Sequence, residues 1–338
     1  MPTDPTLTLA DILAARQVIR GLADSTPLVP SPFMAARTGH DFLLKLENTQ
    51  PMGAFKLRGA VNAMSALPRE TTGVVCCSTG NHGRAVAFAA RHRGLRAVVC
   101  MSELVPEAKV EGIKALGAEV RISGRSQDDA ALESRRLCEA EGLLEIPPFD
   151  DARVIAGQGT IGLELLEARP DLTTILVPLS GGGLAAGVAL AAKAIQPAIR
   201  IIGISMARGA AMHESLRADR PVTVTEYPSL ADSLGGGIGL DNRLTFELCR
   251  DLLDEVVLVE EDEIRNAMQA LYFEDRIVAE GASVVGLAAV LASKVQLQGP
   301  TATIITGRNL DMGTFTAIMT GRDVQIGDLT VKGTTHGA

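Results

Sequence analysis

The sequence predicts an α/β protein built on parallel sheets, as one large domain or two moderate ones, and three features of the chain carry that expectation. Short apolar, β-branched runs bounded by glycine or turn residues recur along it. Segments of helical spacing lie between those runs, which is the βαβ pattern of a parallel sheet covered by helices. Aromatic residues make up only 3% of the 338 residues and Trp is absent, while glycine occurs 34 times. Ala, Val, Leu and Ile must therefore fill the interior, as they do in tightly packed α/β layers. With 46% hydrophobic and 21% charged residues and no low-complexity tract, the chain can bury sizeable cores.

Taken in order, residues 73–78 (GVVCCS), 95–101 (LRAVVCM) and 118–123 (AEVRIS) read as strands. Helical spacing over 85–92 and 107–116 separates them, with Pro106 near a helix start. After a crossover at 146–150 (IPPFD) the pattern resumes with a strand at 174–179 (TILVPL), a helix from Leu184 to about Ile195 and a strand near 201–204. A further apolar helix, 284–294, and a strand, 302–305, follow. From about Gly321 the chain alternates weakly, as a short edge element or a partly ordered tail would. No repeat of 20 to 50 residues is visible.

Charge and composition exclude several function classes. A net charge of -8 lacks the basic face that a nucleic-acid backbone requires. No apolar run approaches the roughly 20 residues of a membrane helix. The first residues carry Asp4 and no basic segment before an apolar stretch, so no signal peptide is expected and the cytoplasm is the expected address. Cys76, Cys77, Cys100, Cys138 and Cys249 form neither a CxxC nor a Cys/His ligand pattern, and free thiols are expected.

Three loops stand at predicted strand ends, where open parallel sheets bind ligands. They are 78–83 (STGNHG), 180–184 (SGGGL) and 306–309 (TGRN). Gly181, Gly182 and Gly183 could bring backbone N–H groups close to a phosphate, or simply make a tight strand-to-helix turn. Neither a Walker loop nor a GxGxxG motif is present. Asn81 and His82 read most simply as ordinary helix-start residues, the other reading being His82 as a general base. Lys56, between Phe55 and Leu57, is either a snorkelling surface lysine, the commoner case, or a desolvated amine available for carbonyl chemistry.

In combination these segments resemble the fold-type II pyridoxal-phosphate enzymes, in the threonine/serine dehydratase and serine racemase branch. Residues 47–60 (ENTQPMGAFKLRGA) look like that family's cofactor-lysine segment, 78–82 its SSGNH loop and 155–160 (IAGQGT) its AGQGT segment. Residues 180–184 look like its tetraglycine phosphate loop, 278–281 (VAEG) its EPSGA segment and 306–309 its SGGN segment. The order agrees, over roughly residues 10–312.

The resemblance implies two open parallel-sheet domains in a tryptophan synthase β-like architecture. A small α/β domain would span residues 73–147, inserted in a large cofactor-binding domain of 1–72 and 148–338. It implies pyridoxal 5'-phosphate held by Lys56 as a Schiff base, with Phe55 against the ring. Asn81 would meet the cofactor's phenolic oxygen and Thr306 the pyridine nitrogen. Ser180, Gly181, Gly182, Gly183 and Leu184 would hold the phosphate, and Glu280 would also belong to the cofactor site. Ser78, Thr79, Asn81 and His82 would hold the substrate carboxylate, with Lys56 and Thr79 catalytic on opposite ring faces. Lys56 would remove the Cα proton and a β-hydroxyl would leave, giving a keto acid and ammonia. A homodimer is implied by the resemblance alone.

Several positions depart from the family pattern. Ala54 stands for a Ser, Ser180 for the first Gly of the phosphate loop, and Arg308 for a Gly of SGGN, either near the cofactor or in solvent. Ser205 and Ala211 occupy positions where relatives place acidic cation ligands, so no metal is expected. Thr79 stands where racemases of the family carry a Ser, which disfavours racemisation. Residues 78–84, 124–127 (GRSQ), 230–237 (LADSLGGG) and 307–312 (GRNLDM) look like the hydroxyectoine-utilisation dehydratases, bacterial enzymes that break down a compatible solute. That subgroup implies a β-hydroxy amino acid or a hydroxyectoine-derived substrate. An amino-acid racemase is the alternative within the family. A non-catalytic anion- or nucleotide-binding α/β protein is the alternative outside it.

Overall fold

The computed structural model describes residues 7–337 except Thr79, Leu104, Pro106 and Ser126. The expectations placed on Thr79, on a helix start at Pro106 and on Ser126 of the 124–127 phrase lie outside the described residues.

The strands are β1 (Leu28–Pro30), β2 (Phe42–Lys45), β3 (Gly73–Cys77), β4 (Arg96–Met101), β5 (Glu119–Ile122) and β6 (Leu144–Glu145). They continue with β7 (Thr174–Pro178), β8 (Arg200–Met206), β9 (Glu255–Val259), β10 (Thr301–Ile304), β11 (Val324–Ile326) and β12 (Leu329–Val331). A larger sheet runs β1-β2-β10-β7-β8-β9 and a smaller one β5-β4-β3-β6. Every pairing in them is parallel except β1 on β2, so the larger sheet has one antiparallel edge. Pro30 fits that edge, since a strand with one free side needs no proline N–H there.

The central strands of the larger sheet are apolar on both faces, as a sheet sandwiched by helices must be. Ile175, Val177 and Ile201 enter one core, while Leu176, Ile202 and Ile204 enter the other. The period of two thus distributes one continuous apolar run between two layers. Burying each such side chain contributes about 1.5–3 kcal/mol.

One helix is longer than the sequence pattern indicates and another is not indicated by it, and glycine explains both. The helix Asn81–Arg93 begins four residues before the expected 85–92 stretch, with Gly80 as its N-cap. A Cβ on Gly83 would lie 3.0 Å from Ile113, from Val99 and from the Ser78 carbonyl, so the glycine that interrupts the apolar period is demanded by packing. The 155–160 segment lies inside the helix Ala152–Ala168. A Cβ on Gly157 would meet the Arg58 carbonyl at 2.6 Å, and one on Gly159 the Gly187 carbonyl at 2.9 Å. These glycines bring the helices Lys56–Ser65, Ala152–Ala168 and Gly183–Ile195 into backbone contact.

The weakly alternating C-terminal stretch is a hairpin of β11 and β12 that pairs with neither large sheet. Val324 and Val331 bury one face in the adjacent core. Gln269 donates to the Thr334 carbonyl and Arg265 to the Lys332 carbonyl, which fastens the hairpin to the helix Glu261–Asp275.

Candidate active site

Lys56 is the first residue of the helix Lys56–Ser65, and the loop before it is fixed by the loop after β10. The Phe55 N–H donates to the Thr306 carbonyl at 3.0 Å and the Arg308 N–H to the Gly53 carbonyl at 2.9 Å. Ala54 and Gly307 pair across this contact. Gly53 takes a φ of +86°, and a Cβ there would lie 2.9 Å from the Asn309 amide, so this turn requires glycine.

The Lys56 side chain is half-buried over the Phe55 ring, and its amine donates to the Pro148 carbonyl at 2.6 Å. Surrounding protein atoms exclude enough water to lower its pKa to about 8. Of the two readings left open by the sequence, this half-buried placement fits a partly desolvated amine better than a snorkelling surface lysine.

Phe149, next to Pro148, connects this amine to the glycine loop after β7. A Cβ on Gly181 would collide with the Phe149 ring, and one on Gly183 would lie 3.0 Å from Phe149 Cα. Gly182 has a φ of +90° and starts the helix Gly183–Ile195. The first N–H groups of a helix have no intrahelical acceptor and carry its positive dipole end, so this loop suits a phosphate. Ser180 is half-buried, and Gly181, Gly182, Gly183 and Leu184 are buried.

Asn81 and His82, the first residues of the helix Asn81–Arg93, lie near Glu280 and Lys56 respectively. Ser78 is half-buried, whereas Asn81 and His82 are buried. The His82 ring bonds the Ile146 carbonyl through Nε2 at 2.7 Å. A carbonyl only accepts, so Nε2 carries the proton and Nδ1 is an acceptor. Burial, with the Lys56 charge nearby, lowers the His82 pKa to about 3, and the ring is neutral.

Asn81 Nδ2 donates to Glu280 Oε1 at 2.8 Å, and Asn81 Oδ1 accepts from Asn309 Nδ2 at 2.7 Å. The Asn309 backbone N–H donates to Glu280 Oε2 at 3.1 Å. Burial, then the nearby Asp232 charge, raises the Glu280 pKa to about 7. Thr306, buried at the end of β10, lies 3.0 Å from the Ser283 hydroxyl, which also accepts from the Gly307 N–H at 2.8 Å. Arg308 is exposed.

The sequence reading assigned no part to Ser283, Pro148 or Asn309. Asn309 was visible as the last residue of the 306–309 motif, and Ser283 as a hydroxyl just after Glu280. Nothing local marks Pro148, whose carbonyl matters only through the fold. Ser205 is buried in β8 with its hydroxyl against Met206 Sδ at 3.7 Å, and Ala211 opens the helix Ala211–Arg217. Among the described residues no three His, Cys, Asp or Glu side chains group as metal ligands.

Residues 19–307 match the family model described as pyridoxal-phosphate dependent enzyme. The chain belongs to that family. The donor set suits the cofactor: a desolvated amine for its aldehyde, a glycine-lined helix start for its phosphate and a buried hydroxyl and amide for its ring. A Sinorhizobium fredii protein that carries a threonine dehydratase name is 54% identical over 91% of this chain and 93% of its own length. The L-threonine ammonia-lyase of Thermotoga maritima is 40% identical over 90% of this chain and 76% of its own length. Maize serine racemase superposes with a TM-score of 0.87 at 36% identity, covering 93% of this chain and 97% of its own. This pyridoxal-phosphate enzyme is therefore a lyase of the threonine dehydratase-like kind.

Proposed function

We propose that the enzyme is a dehydratase that removes water and then ammonia from a β-hydroxy amino acid, through the residues gathered around Lys56. The observation that carries this reading is the Lys56 amine, lowered to about 8 by burial, one side chain away from a glycine-lined helix start. Threonine or serine is one candidate substrate. The motifs at 230–237 and 307–312 favour a hydroxyectoine-derived amino acid and a place in hydroxyectoine breakdown.

When bound, pyridoxal phosphate supplies the electron sink that lets the Cα–H bond break. In this reading Ser180, Gly181, Gly182, Gly183 and Leu184 bind its phosphate, Thr306 meets its ring nitrogen, Asn81 its phenolic oxygen, and Phe55 lies against its ring. The substrate carboxylate lies at the start of the helix Asn81–Arg93, held by Ser78, Thr79 and Asn81 and by the backbone N–H of His82. The His82 ring, whose Nδ1 only accepts, orients that turn through Ile146. Lys56 Nζ, whose partial desolvation favours the uncharged amine, takes the Cα proton. The Cβ–O bond then breaks as the Cα–Cβ double bond forms, the proton taken up by Lys56 Nζ leaves with the hydroxyl as water, and hydrolysis of the released enamine yields a keto acid and ammonia. The half-buried Phe149 ring against the glycine loop shields that side of the amine from bulk water.

The reading includes a small domain of residues 73–147 in a large one of 1–72 and 148–338, a homodimer, a cytoplasmic address and no bound metal. The test is a product screen with purified holoenzyme over threonine, serine and hydroxyectoine-derived β-hydroxy amino acids. Keto acid and ammonia in equal amounts support the reading. Recovery of inverted amino acid without keto acid would replace it with racemisation, and failure to turn over any of them would overturn it.

A further inference from the structure

Asn81 lies on a helix packed against the smaller sheet, yet both atoms of its carboxamide are held from the larger-sheet side. Nδ2 donates to Glu280 Oε1 at 2.8 Å, and Oδ1 accepts from Asn309 Nδ2 at 2.7 Å. An Asn amide has two donors and two acceptor positions, so each atom keeps one free direction. Glu280 Oε1 accepts here and the Asn309 NH₂ group can only donate, so together they specify which end of the Asn81 amide is nitrogen. Reversing the amide would set Oδ1 against the Glu280 carboxylate and Nδ2 against the Asn309 NH₂ group.

The two residues that set this orientation are themselves fixed. The Asn309 N–H donates to Glu280 Oε2 at 3.1 Å, and Asn309 Nδ2 also donates to the Met52 carbonyl at 3.1 Å, four residues before Lys56. The Glu280 N–H donates to the Gly307 carbonyl at 3.1 Å. A Cβ on Gly307 would lie 2.8 Å from Glu280 Oε1, so the glycine makes room for the carboxylate. Glu280 is 2% exposed, and desolvation sharpens the cost of any mismatched neighbour.

We infer that Glu280 and Asn309 are positioning residues that fix the Asn81 carboxamide so that its second N–H points at the phenolic oxygen of pyridoxal phosphate. This rests on the assignment of Asn81 given under Proposed function. It gives Glu280 an indirect part in the site, acting through Asn81 and not through the cofactor itself. The second proton of Nδ2 becomes a directed donor because the first is committed to Glu280 Oε1, which polarises the group.

The experiment is a double-mutant cycle on cofactor binding. The dissociation constant of pyridoxal phosphate is measured by titrating cofactor-stripped protein, and the absorption band of the bound cofactor is recorded against pH. The variants are Asn81→Ala, Glu280→Gln, Asn309→Ala and the pairs with Asn81→Ala, each checked for native circular dichroism. Loss of one such hydrogen bond weakens binding about tenfold. The expected result is about tenfold for each single variant, with a shifted band, and no further loss when Glu280→Gln or Asn309→Ala is added to Asn81→Ala.

Multiplicative losses in the pairs, to about a hundredfold, would show that Glu280 and Asn309 act independently of Asn81 and overturn the inference. So would wild-type binding and spectrum in both Glu280→Gln and Asn309→Ala while Asn81→Ala is impaired. If Asn81→Ala itself leaves affinity and band unchanged, the assigned role of Asn81 fails, and the inference fails with it. If either second-residue variant misfolds, the other completes the cycle.

Discussion

Arg58 grips Glu47 through two hydrogen bonds of 2.8 Å each, and neither side chain has any solvent exposure. The same guanidinium holds Glu164 at 2.7 and 2.9 Å, and Lys45 reaches Glu164 at 2.5 Å. Two cations and two carboxylates are thus paired behind the helix that begins at Lys56. Removing one member strands a buried charge, which costs about 3–5 kcal/mol. Urea unfolding of Arg58→Met is expected to show a loss of that size. A loss below about 1 kcal/mol, the value of an exposed pair, would mean that water reaches the cluster.

Lys56→Ala is expected to fold normally, bind the cofactor without a covalent link and lose elimination by at least about 10²–10⁴-fold, the usual worth of a general base. Circular dichroism and keto-acid release measure the two halves of that claim. In the wild-type protein only the neutral amine attacks an aldehyde. The rate of cofactor attachment is therefore expected to rise with pH until about 8 and then level off. An attachment rate still rising steeply above pH 10 would place Lys56 in an ordinary solvated environment.

The two buried titratable groups flanking Asn81 pull stability in opposite directions. Burial first, then Asp232, raises Glu280 from 4.5 to about 7, against the opposing effects of Ser233, the Asn309 N–H and Asn81. The folded chain therefore holds a proton that the unfolded chain has released between those values, and this group's contribution falls as pH rises through that window. His82, lowered from 6.5 to about 3 by burial and then by Lys56, does the reverse, so its contribution is lost as pH falls below 6.5. Glu280→Gln is expected to make the unfolding free energy rise more steeply with pH between 4.5 and about 7. An unchanged slope would contradict the burial of an ionisable Glu280.

Gly182→Ala tests the proposal that the glycine loop after β7 holds the cofactor's phosphate. A Cβ there would meet Met212 at 2.8 Å and Thr245 at 3.0 Å on a backbone with φ +90°. Strain of this kind costs of order 1–3 kcal/mol. Cofactor affinity is expected to fall by more than tenfold while the far-UV spectrum stays native. Unchanged affinity would remove the loop from the phosphate site.

The sheets were legible because a parallel strand buried on both faces is an uninterrupted apolar run, as at 174–178 and 201–204. Phe42–Lys45 escaped notice since it is only four residues long and ends in a lysine that the Glu164 pair keeps buried. The helix Ala152–Ala168 was obscured by Gly157 and Gly159, which serve helix contact and not a turn. At the site, Lys56, Asn81 and Gly181 to Gly183 announced themselves as motif residues. Pro148 and Ser283 did not, because a backbone carbonyl and a supporting hydroxyl leave no local signature. The orientation of Asn81 depends on residues roughly two hundred positions away, at Glu280 and Asn309, and only the fold brings them together.

The central claim, that Lys56 carries the cofactor of a dehydratase, is tested most directly by reducing the holoenzyme with borohydride and sequencing its peptides by mass spectrometry. The expected result is one peptide heavier by a reduced pyridoxal phosphate, with the modification on Lys56 and its yield tracking the loss of keto-acid release. Modification of a different lysine, or full elimination activity surviving complete reduction of the Lys56 linkage, would contradict the account.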